Sequence, residues 1–162
     1  MRREAANRRS SGSYLWIAFG VLAVAAFVGI IVSASARREV RHPTVGDHWH
    51  AQFTLVVCGR TLPPLSPSNG GVHTHGDGII HIHPETAAES GPNANLGLFL
   101  KTVGMRLTSS SLQMPDGTAY RNGDSCPDGK TGVVRLLVNG TPSDAWDRYE
   151  LRNDDKVVVT FQ

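Results

Sequence analysis

Six of the seven histidines in this 162-residue chain fall in three H-x-H pairs: His48 and His50, His73 and His75, and His81 and His83. Neutral imidazole binds Zn, Cu(II), Ni and Fe well. On a β-strand, residues i and i+2 project from the same face, so each pair can aim two ring nitrogens at one point. Three or four such rings fill a coordination sphere. Asp47, Asp77 and Glu85 are the nearby carboxylates able to ligate or to hold a ligating ring in place. Met105 and Met114 lie outside the cluster, which favours Zn or Cu(II) over the softer Cu(I). The plainer reading is a solvated polar strand face whose charge changes with pH, and it suits one H-x-H pair better than three. His42, alone in a charged connector, reads as an exposed residue.

The segment VHTHGDGIIHIH, residues 72–83, reads as a β-hairpin around Gly-Asp-Gly. A two-residue Asp77-Gly78 loop would place His75 opposite Ile80 and send the two histidine pairs to opposite faces. With Gly76-Asp77-Gly78 as a three-residue loop ending in a left-handed glycine, His75 opposes Ile79 and His73 opposes His81. Val72, Thr74, Ile80 and Ile82 then line the other face. The second register is expected, because a one-residue slip would bury the histidines and expose the aliphatics.

The elements needed to present these rings are legible on either side. Residues 48–57 alternate with period two, setting His48, His50, Gln52, Thr54 and Val56 against Trp49, Ala51, Phe53, Leu55 and Val57, as a strand with one apolar face does. If this strand pairs beside the hairpin, His48 and His50 join the cluster. Pro63, Pro64 and Pro67 end regular pairing after it. Asn93 or Asn95 caps a short helix through about Val103, with Leu96, Phe99, Leu100 and Val103 on its buried face and Gly104 as its stop. Short strands and turns follow, then a strand over residues 133–138, a hairpin-type Asn139-Gly140, a turn at residues 153–155, and a last strand over residues 156–161. Trp49, Trp146, Phe53, Phe99 and Tyr149 read as core rather than as a ligand box. The fold class expected is mainly β (α+β): an N-terminal transmembrane helix followed by a small β-rich domain with one short helix.

Residues 15–32 read LWIAFGVLAVAAFVGIIV, an uncharged run which, with its flanks, approaches the length needed to cross a bilayer. Tyr14 and Trp16 stand at the interface level. The expected layout is a cytoplasmic tail over residues 1–13, a transmembrane helix over 14–35, a connector over 36–46 and an extracytoplasmic β-rich domain over 47–162. Four arginines precede the span and three follow it, a bias toward an inside N-terminus. Ala34 and Ala36 also form an A-x-A-like cleavage site, but the apolar run is long for a signal peptide and arginines follow it. The formal charge of +2 hides an acidic domain, since residues from 43 onward carry nine Lys and Arg against twelve Asp and Glu. A weakly acidic domain without a basic stripe is a poor nucleic-acid binder.

Cys58 and Cys126 lie in turn-like contexts of the globular part, and in an oxidising compartment their default is one disulfide. Two thiolate metal ligands are the rival use.

The run GVHTHGDGIIHIHP followed by NANLGLFLKTVG, with VVCGRTLPPL upstream and VRLLVNGTP near the end, resembles an uncharacterised group of bacterial, especially actinobacterial, single-pass membrane proteins. These carry an H-T-H…G-I-I-H-I-H hairpin and a T-L-G-x-F-like helix, where this chain has Asn95 in place of the threonine. The resemblance spans about residues 47–161 and implies an exported single domain, with no activity or ligand set attached. Separately, VRLLVNGTPSDAWDRYELRNDDKVVVTFQ is similar to the C-terminal half of small β-grasp domains. No diglycine follows Phe161-Gln162, so a sulfur-carrier role is not implied.

Three functions compete. The first is a membrane-anchored extracytoplasmic protein that binds Zn or Cu(II), in contact with lipid through its N-terminal helix. The second is a metalloenzyme with an open three-histidine site and Asp77 or Glu85 as base. No G-x-S-x-G, H-E-x-x-H or phosphate-loop pattern supports a particular chemistry, which favours a non-enzyme. The third is an accessory subunit docking to a membrane-protein partner. Metal identity, oligomeric state and cleavage of the N-terminal segment are left open by the sequence.

Overall fold

The computed structural model describes residue 17, residues 19–24 and residues 41–162. Ile17 and residues 19–24 are helical. The tail, most of the expected span and most of the connector lie outside the described residues. No helix among the described residues is long and apolar enough to cross a membrane.

Residues 42–162 form one compact unit, mainly β, with a mixed sheet and few helices. Its strands are β1 (Trp49–Val57), β2 (Arg60–Thr61), β3 (Val72–His73), β4 (Ile79–Ile82), β5 (Arg106–Leu107), β6 (Ser111–Gln113), β7 (Ala119–Arg121), β8 (Val134–Val138), β9 (Thr141–Pro142) and β10 (Lys156–Phe161). Seven of them make one sheet in the order β3-β4-β1-β10-β8-β9, with β2 folded back on β1; β5, β6 and β7 make a second, small sheet. Only β1 and β10 pair in parallel within the large sheet. Segments before Asp47 also pack on this unit: Pro43 is buried and its carbonyl accepts from the Gly91 N–H.

The alternation of β1 puts Trp49, Ala51, Phe53, Leu55 and Val57 into the core. Helix α1 (Leu96–Thr102) covers that face with Leu96, Phe99 and Leu100, and the Phe53 and Phe99 rings meet edge to face at 5.2 Å. The helix starts where the Asn95 side chain accepts from the Leu98 N–H, and past its end Gly104 takes a left-handed φ of +74°. Asn139 and Gly140, both at positive φ, turn β8 into β9. The candidate core aromatics are placed as core, with Trp49, Phe53 and Phe99 buried and Trp146 and Tyr149 half-buried against them. Cys58 and Cys126 form a disulfide that ties the end of β1 to the loop before β8.

Gly132 lies in that loop, and a Cβ built there would overlap the buried Phe161 ring. Gly132→Ala is expected to lower stability by about 1–3 kcal/mol, as overpacking of a filled core does. Urea unfolding would read this, and an unchanged midpoint would show that the ring has room to move.

Candidate metal centre

The hairpin takes the register in which His73 pairs with His81 and Val72 with Ile82. Gly78 closes the loop at φ +79°. β1 lies on the other side of β4, pairing His50 with His81, Ala51 with Ile80 and Trp49 with Ile82. His73, His81 and His50 therefore form one row across three strands, and the two-residue period puts His48, His75 and His83 on the same side. Ile80, Ile82, Val72 and Thr74 are buried on the opposite side, against the core. Burying those aliphatics is what forces the six rings outward together.

The rings are contiguous. His48 Nε2 is 3.1 Å from His50 Nε2, and His73 Nε2 is 2.9 Å from His75 Nε2. His48 and His83 have ring centroids 3.7 Å apart, His50 and His81 4.9 Å, and His75 and His81 4.3 Å. Within this face, His48, His50, His81 and His83 each offer a ring nitrogen, and the four nitrogens lie within 4.8 Å of one another. Such a group could hold a metal ion. Two donors 3.1 Å apart subtend about 100° at an ion about 2.05 Å from each, between the angles of square-planar and tetrahedral sites.

The electrostatics favour neutral ligands. Burial, followed by the rings of His48, His73, His81 and His50, pushes His83 down to about 4. Burial and the neighbouring His81 and His48 also lower His50. His83 Nε2 is buried and has no hydrogen-bond partner among the described residues. An orphaned ring nitrogen costs about 1–3 kcal/mol if nothing satisfies it.

Among the candidate carboxylates, Asp77 is bonded to a cluster ring. His81 Nε2 donates to Asp77 Oδ2 at 3.0 Å, and Asp77 Oδ1 accepts from the Ile79 N–H and the Thr74 hydroxyl. Burial raises the Asp77 carboxyl, but the His81 and Ile79 bonds outweigh it and bring it to about 2. Asp77 thus acts as a carboxylate that orients a ligating ring. The Asp47 carboxylate is engaged by Thr44, and the Glu85 backbone N–H donates to Glu89.

Sequence reasoning missed Glu89. Its carboxylate accepts from the backbone N–H groups of Gly71 and Glu85, while the Gly71 carbonyl accepts from the His83 N–H, so Glu89 clasps the strand edge that carries the histidines. The T-x-x-E spacing from Thr86 to Glu89 was the available signal, and it marks the start of a short 3-10 turn. The Gly71 N–H, with help from Glu85 and Thr86 and against a smaller effect of burial, holds Glu89 below its ordinary value. A depressed carboxylate stabilises the fold above its unfolded value of 4.5 and loses that effect as pH falls through the folded value. Glu89→Gln is therefore expected to cost roughly 1 kcal/mol at pH 7, with the gap to wild type closing at acid pH. Urea titrations at several pH values check this, and a gap independent of pH would assign the loss to packing instead.

Comparison with family models, curated proteins and solved structures returned no match to this chain. The reading of the site accordingly rests on its geometry.

Proposed function

We propose that this protein binds a divalent transition metal, Zn or Cu(II), through His48, His50, His81 and His83, from an extracytoplasmic domain anchored by its N-terminal segment. The observation that carries the reading is the convergence of four ring nitrogens, one each from His48, His50, His81 and His83, within 4.8 Å of one another. Four imidazoles complete a tetrahedral or tetragonal sphere, which favours holding an ion over exposing it to a substrate. A non-catalytic role in metal handling follows.

The anchor is supported by the uncharged run of residues 15–32, and the extracytoplasmic placement by the Cys58–Cys126 disulfide, which persists in oxidising compartments. A β-grasp-like fold is supported by the strand order β4-β1-β10-β8-β9, the parallel pairing of β1 with β10, and a helix between the first hairpin and β8.

The test uses the full chain in detergent, without a polyhistidine tag, stripped with chelator and reloaded with Zn or Cu(II). Mass spectrometry should find at least one tightly held ion per chain, lost in His81→Ala/His83→Ala. A wild-type protein that takes up neither ion overturns the reading.

A further inference from the structure

The disulfide opens on a cavity. Cys58 and Cys126 both line a hollow of about 350 Å³, together with Asp128, Lys130 and Arg135. That volume lies within the range of small-molecule sites. Cys126 is buried, whereas Cys58 is half-buried and its neighbour Gly59 is exposed, so Cys58 is the half that a solute reaches.

The backbone at Cys58 is also unusual. Residues 58 and 59 are the turn between β1 and β2, where Val57 pairs with Arg60. They take φ of +49° and +75°. A two-residue turn with both central residues at positive φ favours Asn-Gly or Asp-Gly, and cysteine adopts that conformation rarely. Disulfides that are strained or exposed are the labile ones.

The charges around the bond suit thiol chemistry. Lys130 pairs with Asp128 at 2.9 Å. Arg135, exposed on β8, has no ion pair among the described residues. In disulfide exchange a thiolate attacks and a second thiolate departs, and a neighbouring cation stabilises a thiolate.

We propose that Cys58–Cys126 is a thiol–disulfide exchange site that is open in the folded protein, and that its substrate is a low-molecular-weight thiol reacting as the thiolate. The external sulfur attacks Cys58 Sγ and forms a mixed disulfide. The Cys58–Cys126 bond breaks, and its electron pair leaves on Cys126, which takes up a proton. A second thiol of the same class attacks the external sulfur of the mixed disulfide and releases Cys58. Two thiols are thereby oxidised to one external disulfide, and their two protons end on Cys58 and Cys126. The reaction frees the end of β1 from the loop before β8. Cys58 follows the last residue of β1 and the histidines lie near its first, so the exchange site is independent of the metal reading.

The experiment treats the full chain, in detergent and with a chelator present, with 2-mercaptoethanol. Samples are quenched with acid and read by intact-mass spectrometry and peptide mapping. The rate is expected to be proportional to thiol concentration, with the first mixed disulfide on Cys58. In about 1 M urea, below the unfolding transition, the rate should change by less than about twofold, whereas reduction through global unfolding would accelerate about 5-fold or more. At low ionic strength, Arg135→Gln should slow the reaction about 2–5-fold with an unchanged urea midpoint, and Arg135→Lys should restore most of the rate. Reduction that tracks unfolding, or a first mixed disulfide on Cys126, would make the bond a purely structural cross-link and overturn the proposal. Equal rates in wild type and both Arg135 variants would overturn the charge-assisted site.

Discussion

His83→Leu is expected to abolish tight metal binding while leaving the metal-free protein at least as stable as wild type. A histidine kept for structure loses stability when replaced, because its hydrogen bonds are lost with it. His83 has the opposite signature: its Nε2 is buried with no partner among the described residues, and its pKa is driven down to about 4 by burial and four neighbouring rings. Leucine has similar volume and no polar atom, so the substitution removes an orphan costing about 1–3 kcal/mol. The same change takes away one of four converging donors, which should weaken binding by at least about 100-fold. Metal content and urea unfolding of the stripped protein provide the two readouts. Destabilisation of the metal-free variant with metal binding intact would make His83 a packing residue and remove the basis for the centre.

Reducing the Cys58–Cys126 disulfide, or replacing both cysteines with serine, is expected to cost about 4 kcal/mol. The bond spans 68 residues, and closing a loop of that length removes conformational entropy from the unfolded chain, with an effect that grows slowly with loop length. Native domains are stable by only about 5–15 kcal/mol, so the loss is a large share of the total. Urea unfolding with and without reductant would measure it. The effect should leave metal affinity nearly unchanged in the protein that remains folded. Cys58 follows the last residue of β1 whereas His50 is near its first, about 26 Å away along an extended strand. A coupled loss of stability and affinity would show that the two ends of the sheet respond together.

The hairpin register shows how far local pattern reaches. Val72, Ile80 and Ile82 had to share a face to be buried, and that requirement alone selects the loop in which His73 opposes His81. The helix was equally legible, since Asn95, the apolar spacing of Leu96, Phe99 and Leu100, and Gly104 act within a few residues of each other. Asp77 was legible as a nearby carboxylate, but its bond to His81 depends on how the loop closes.

From its sequence alone, this protein is determined to be a β-rich domain with histidines alternating against aliphatics, a capped helix, and a cysteine pair, because periodicity, capping and turn chemistry are local. Tertiary structure decided the rest. It set β1 beside β4, bringing His48 and His50 to the hairpin rings; it paired β1 with β10 in parallel; and it laid Glu89 against Gly71. These contacts join residues from 18 to more than 100 positions apart, and only the burial of a common core selects among such pairings.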